Sequence, residues 1–447
     1  MARKPKIERF NENVLAKYQI YNSIFITLPF DTISNTGVLL PLFSEVCQKG
    51  YDQHQNPTEI VERFFDSYQN NPSNQTKHDL LFRFIQYIER QVVLFDAIED
   101  AAFPIVNNMD GRGTLRSIKE DARENGILDE LKEYLRRFIF RPTLTAHPTQ
   151  FYPGTVLGII HDLDKAIRNN DLLLIKQLLA QLGKTGFFKK EKPTPYDEAV
   201  SLIWYLENVF YHAASKIYNY VQQNIFEGDE FQNDLINLGF WPGGDRDGNP
   251  FVTTETTLKV AKRLRKTILI NYYRDIRKLK RRITFGSLQE KISVLERALY
   301  DNFYNEHTKE PLSVTVLMDG LLEIKKEVVE EHQSLFLEEL QDLINKVKIF
   351  GFHFATLDIR QDSRVHHTVI TEVIAKTRDL ELSIFPKDYE TLSEEDQLKI
   401  LTSVTGKLDP SVFKEGITKA TLESIYAIKT IQQNNGERAA NRYIICN

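Results

Sequence analysis

Apolar residues recur three and four positions apart along most of the chain, which is the spacing of one face of a helix. Leu80, Leu81, Phe84, Ile85, Ile88, Val92 and Val93 are the clearest such run. The same spacing predicts helices over Ile127–Arg137, Val156–Asn169, Asp171–Leu182 and Asp197–Ile225. It continues over Thr256–Arg282, most of 285–347, Val365–Lys376 and, with interruptions, Leu398–Gln432. Asn11–Phe30 is apolar in part but irregular and predicts no definite element. Polar breaks rich in Asn, Pro, Ser, Gly and Lys separate the helices at Gln69–Lys77, 183–196 and Pro386–Glu395. Asp110-Gly-Arg-Gly113 reads as a turn, too short to cradle a phosphate.

Four short stretches depart from the helical rhythm and end near 147, 244, 359 and 446. Each is apolar, too short for a free-standing helix, and separated from the next by mostly helical sequence. Strand, helices, strand implies parallel strands joined by right-handed crossovers. Three of the four end in a polar cluster, and parallel topology sets those clusters on one side. The expected fold is therefore predominantly α-helical with a β/α (TIM-type) barrel core. A closed barrel of that type has eight strands, so only about the first four are present. An open barrel edge is a liability, so the chain is expected to be part of a longer one. The expected organisation is an N-terminal helical region over 1–137 and the first half of the barrel over 138–447, forming one continuous unit.

Composition narrows the function classes. The chain has 447 residues, 42% hydrophobic and 27% charged, with a net charge of -5. That is an ordinary globular balance with no basic excess for nucleic acid. Two cysteines, Cys47 and Cys446, can form neither a disulfide framework nor a cysteine-rich zinc site. No uncharged apolar run is long enough to span a membrane, and the N-terminus lacks the apolar core of a signal peptide. A cytoplasmic protein is expected. The helix over Thr256–Arg282 is strongly basic, but Leu264, Ile268, Leu269, Tyr272, Ile276 and Leu279 run through it at core spacing, so the basic residues read as a solvated face. Trp204, Tyr205, Phe210, Tyr211, Tyr218 and Tyr220 read as core aromatics, and Glu323, Glu327, Glu330 and Glu331 as another solvated face.

Candidate chemistry lies at three strand ends. His147 precedes Pro148, which holds it out of the helical region at the end of an apolar approach through Phe138, Ile139 and Phe140. The stretch Leu238–Pro250 runs into a glycine-rich loop carrying Asp245, Arg246, Asp247 and Asn249, with Thr253 or Thr254 as the N-cap of the next helix. Arg246 between two carboxylates could be held as a fork and presented to an anion. The loop lacks the Gly-Lys-Ser/Thr ending of a Walker loop. The apolar run from Ile349 reads as a strand buried on both faces, with Asp358, Arg360 and Gln361 at its C-terminal end and His353 in its core.

These segments resemble a known family. Leu144-Thr-Ala-His147-Pro-Thr-Gln150, Gly243-Gly-Asp-Arg246-Asp-Gly-Asn-Pro250 and Leu357-Asp-Ile-Arg360-Gln-Asp-Ser363 occur in the order and spacing of the signature segments of phosphoenolpyruvate carboxylases. The resemblance covers essentially the whole chain, as the N-terminal half of such an enzyme. It implies a lyase that joins phosphoenolpyruvate and bicarbonate, with Mg²⁺ or Mn²⁺, to give oxaloacetate and phosphate and so feed the tricarboxylic acid cycle. It implies an eight-stranded barrel among many helices, in a cytoplasmic tetramer. His147 matches the first catalytic histidine, suited to a proton step near neutral pH. Arg360 matches the arginine that grips the substrate phosphate. Asp245, Arg246, Asp247, Asn249, Asp358 and Gln361 become candidates for the barrel mouth. The metal ligands are implied beyond Asn447, so the 447-residue chain is expected to be inactive alone.

Three departures follow. Phe151-Tyr-Pro-Gly154 stands where many relatives carry two arginines associated with sugar-phosphate activation. Arg364-Val-His366 differs from the commoner order, in which arginine directly precedes histidine. Arg3-Lys-Pro-Lys6 is not followed by the serine of a plant-type phosphorylation motif. A non-catalytic, helix-rich half-barrel that binds an anion or a partner through the same mouth is the alternative class.

Overall fold

Helical periodicity becomes helix almost throughout the computed structural model, which describes residues 3–28, 36–69, 72–109, 111–145, 152–187, 193–227, 229, 231, 233–304, 312–382, 384–405 and 407–446. The chain forms two compact units. One comprises Met1–Ile118 with Thr149–Lys192, and the other Lys119–Pro148 with Pro193–Asn447.

The first unit is helical. Its long helix Asn74–Val106 starts at Ser73, whose side chain accepts from the Thr76 N–H, and buries Tyr87, Leu94, Ala97 and Ile98. Helix Gly154–Arg168 adds Val156, Ile159 and Leu163 to the same core, and helix Leu172–Lys184 adds Ile175 and Leu179. The irregular stretch near the N-terminus is helical too, with π turns at Asn11–Leu15 followed by helix Ala16–Thr27. A one-residue-wider turn breaks the regular apolar spacing, which is why that stretch predicted no element.

The second unit holds every strand among the described residues. Strands β1 (Thr143–Leu144), β2 (Gly239–Phe240) and β3 (Thr356–Leu357) form a parallel sheet in that order. Strands β4 (Ile359–Asp362) and β5 (Tyr443–Cys446) are also parallel. Asp358 alone separates β3 from β4, and an isolated parallel bridge joins Asp245 to Arg360. Leu357, Asp358 and Ile359 are fully or almost fully buried, the pattern of a strand covered on both faces. The β1 approach is different: Ile139 and Phe140 are exposed, and Phe140 makes only an isolated bridge to Ile236.

The apolar run before β3 divides. Its first part closes helix Leu337–Phe350, and the chain turns at Gly351 (φ 47°) and Phe354 (φ 63°) before β3 begins. The buried Tyr272 hydroxyl donates to the Gly351 carbonyl at 2.8 Å and fixes that turn. Tyr272 belongs to the basic helix Thr254–Arg282, which buries its apolar stripe as expected and is capped by Thr253. Of its basic residues, Arg265 does not stay on the solvated face: it stacks 4.9 Å over Phe352 and donates to the Asn434 carbonyl at 2.5 Å. Pro195–Ile225 is one continuous run of helical turns, started by a Thr194/Asp197 capping box. Tyr211 and Tyr218 are core residues, whereas Trp204 is exposed.

His353 is a core residue, 6% exposed, and burial reinforced by Arg438 pushes its imidazole down to about 3. Unfolding restores a value near 6.5. Between those values only the unfolded chain takes the proton, so stability is full above about pH 6.5 and falls as pH drops. Urea unfolding of wild type should lose about 2 kcal/mol more between pH 7.5 and 5.0 than His353→Leu loses. Equal losses in both would contradict the burial account.

Candidate active site

The C-terminal strand ends of the second unit converge because the sheet register places consecutive segments side by side. Past β2, the Arg246 N–H donates to the Arg360 carbonyl at 3.1 Å, and the Arg360 N–H donates to the Gly244 carbonyl at 3.0 Å. This lays the glycine-rich loop along β4. Gly244 must be glycine there, since a Cβ would stand 2.3 Å from the Asp358 carbonyl oxygen. Gly243 supplies the positive φ (81°) of the turn.

Asp358 lies beneath this layer, fully buried. Arg141 grips it with both terminal nitrogens, Nη2 to Oδ1 at 2.6 Å and Nη1 to Oδ2 at 3.1 Å. Trp241 donates its indole Nε1–H to Oδ2 at 3.2 Å. Gly239 leaves room for the arginine, because a Cβ there would come within 2.8 Å of Nη1.

Arg360 sits above it. Its Nη1 contacts Asp245 at 2.6 Å, and its Nη2 lies 3.6 Å from Asp247 and 3.3 Å from the Cys446 sulfur. The guanidinium stacks on Trp241, with its carbon 3.9 Å from the ring centroid. Its Nε–H is shielded from solvent and has no hydrogen-bond partner. Burial lowers the guanidinium pKa, but Cys446, Asp245 and Asp247 outweigh it and raise the value on balance, so the group stays charged.

The other expected mouth residues divide by strand parity. Alternate residues of a strand share a face, so Asp358 and Arg360 both reach Trp241. Gln361 faces the other way, is buried, and accepts from the Asp362 N–H at 3.0 Å. Arg246 is not the arginine held between the two aspartates. Its Nη1 donates to the Ala420 carbonyl at 2.9 Å, docking the loop on helix Ile417–Asn435, and Arg360 takes the place between Asp245 and Asp247. Asn249 accepts from the Phe251 N–H at 3.1 Å and shapes the turn. His147 lies outside the described residues; β1 ends three positions before it.

Sequence reading missed Arg141, Trp241 and Cys446 as partners of these groups. The first two stood inside the stretches singled out, but nothing local marks a contact across 217 positions. A divalent ion does not fit this mouth among the described residues: Asp245 and Asp247 face Arg360, and Asp358 is held by Arg141. Among the described residues, only Glu327, Glu331 and His332 bring three metal-ligating side chains together. There Lys291 already holds Glu327 at 2.8 Å and Glu323 at 2.6 Å, while Glu330 and Glu331 are exposed.

Comparison with known proteins decides the family. The phosphoenolpyruvate carboxylase family model matches residues 99–313 and 304–447. The chain belongs to the phosphoenolpyruvate carboxylase family. The phosphoenolpyruvate carboxylase of Shewanella sediminis is 30% identical over 349 residues, covering 68% of this chain and 39% of the relative. That of Shewanella loihica is 27% identical over 368 residues, covering 72% of this chain and 41% of the relative. That of Rhodopseudomonas palustris is 24% identical over 345 residues, covering 65% and 37%. The chain therefore spans about two fifths of the length of the curated phosphoenolpyruvate carboxylases it matches. Among the described residues no helix is long and apolar enough to cross a membrane.

Proposed function

We propose that this chain carries the phosphate-gripping part of a phosphoenolpyruvate carboxylase site, and that its four parallel strand positions are the first half of a β/α barrel. The observation that carries this reading is Arg360, set at the converging strand ends within the segment matched by the family model. A planar fork suits a phosphate, and the shielded Nε–H is the guanidinium donor with no partner. Asp245 and Asp247 keep the fork in place before substrate arrives and must be displaced in part, or outcompeted, when a phosphate binds.

In the proposed reaction a bicarbonate oxygen bonds to the phosphorus of phosphoenolpyruvate and the bond from phosphorus to the enol oxygen breaks, leaving that oxygen on the enolate. The products are carboxyphosphate and pyruvate enolate. Carboxyphosphate loses a proton and splits into phosphate and CO₂, and the enolate carbon bonds to CO₂ to form oxaloacetate. His147 is the residue proposed to take that proton. No step is assigned to a metal, because the mouth residues described do not fit one. The expectations of a Mg²⁺- or Mn²⁺-dependent, tetrameric, cytoplasmic enzyme belong to this reading.

Arg360→Ala is expected to weaken phosphoenolpyruvate binding by the 447-residue chain at least tenfold, as for loss of a charge-assisted hydrogen bond. Calorimetric titration checks this. Equal affinity in variant and wild type would remove Arg360 from the phosphate site.

A further inference from the structure

We propose that Asp358 is a positioning residue for Arg360, acting through the indole ring of Trp241. The inference rests on the reading of Arg360 as the phosphate grip. An arginine side chain has enough rotatable bonds that a useful fork must be held from more than one side. Asp245 and Cys446 hold its edge. Trp241 supplies the face, 3.9 Å from the guanidinium carbon. A flat ring orients its neighbour only if its own tilt is fixed. The one polar atom of Trp241 is Nε1, and its bond to Asp358 fixes that tilt.

Asp358 cannot drift, because it is fully buried and Arg141 grips both of its oxygens. The chain of contacts thus runs from Arg141 before β1, through Asp358 after β3, to Trp241 after β2, and ends on Arg360 in β4. Arg141 has a second effect. It neutralises Asp358, so the buried carboxylate adds little repulsion toward a phosphate at Arg360. A plain packing role does not need an ion pair, since apolar residues of similar volume serve a core as well or better. The buried charge sits where it can aim Trp241, and Trp241 sits where it can aim Arg360.

The test uses the 447-residue chain labelled with ¹⁵N at tryptophan and arginine. Two tryptophans give two indole resonances, and Trp204→Phe assigns them. In wild type the Arg360 Nε–H should carry an upfield ring-current shift, and inorganic phosphate should move both it and the Trp241 indole signal. Asp358→Leu, which removes the acceptor of the Trp241 indole, should diminish the ring-current shift and raise the phosphate Kd about tenfold. Because Asp358→Leu leaves Arg141 without its partner and could unfold the chain, Trp241→Phe is the second variant. It keeps an aromatic face and the Arg141–Asp358 pair but loses the tie, and should do the same. Retention of the ring-current shift and of phosphate affinity in folded Asp358→Leu or in Trp241→Phe overturns the proposal. The grip reading fails separately, if Arg360→Ala leaves the phosphate-induced movement of Trp241 intact. The ligand-free ring-current shift still decides whether Asp358 positions the guanidinium.

Discussion

His147→Asn should lower carboxylation by a complete enzyme carrying this segment by about a thousandfold, within the range spanned by a positioned general base. Asparagine preserves size and hydrogen bonding but does not titrate near neutral pH, so the substitution isolates the proton step. β1, which ends at Leu144, runs parallel to and in register with β2 and β3. Phosphoenolpyruvate binding should survive, because the phosphate is assigned to Arg360. The expected pattern is therefore a collapse of kcat with little change in substrate affinity, read from oxaloacetate formation coupled to NADH oxidation. A kcat within threefold of wild type would take His147 out of the proton step.

Arg141→Ala carries the largest stability effect expected in the chain. Asp358 would keep one donor, Trp241 Nε1, for a carboxylate with no solvent exposure. Breaking a buried ion pair from one side typically costs about 3–5 kcal/mol, because the remaining charge is stranded in a poorly polarisable site. The urea midpoint should fall accordingly. Arg141→Met combined with Asp358→Asn should recover most of the loss, since no net charge remains and the asparagine oxygen still accepts from Trp241. A fall of less than about 1 kcal/mol in Arg141→Ala, with the double variant no better, would mean that the carboxylate finds other partners.

Much of this fold was legible in the sequence for one reason: helical periodicity is strong and local. The helices Gly154–Arg168, Leu172–Lys184 and Thr254–Arg282 stand where the apolar spacing put them, whereas helix Asn74–Val106 begins inside the stretch Gln69–Lys77 expected to break. Short parallel strands lie near the expected positions, in a three-stranded and a two-stranded sheet. The misreadings have physical causes. A short apolar run looks alike in a buried strand and at a buried helix end, so Ile349 and Phe350 were read as strand until the turn at Gly351 showed otherwise. Arg246 stands beside two aspartates in sequence, yet Arg360 is their partner, because the loop packs along β4 and successive side chains of an extended chain point apart. Asp358 was expected at the mouth and is instead fully buried and gripped by Arg141. Its partner Arg141 is too distant in sequence for any spacing rule to find. Ile85 and Ile88 fit the helix pattern but are exposed, since periodicity identifies an apolar face and not what covers it.

The central claim is that these strand ends belong to a carboxylase site. Its most direct measurement is bicarbonate-dependent phosphate release from phosphoenolpyruvate, with Mg²⁺ present. The same assay is run on the 447-residue chain and on that chain joined to the remaining segment of a curated relative. The account predicts stoichiometric phosphate and oxaloacetate from the joined protein, abolished by His147→Asn, and none from the 447 residues alone. A soluble, folded joined protein that releases no phosphate, or turnover by the 447 residues alone, would contradict it.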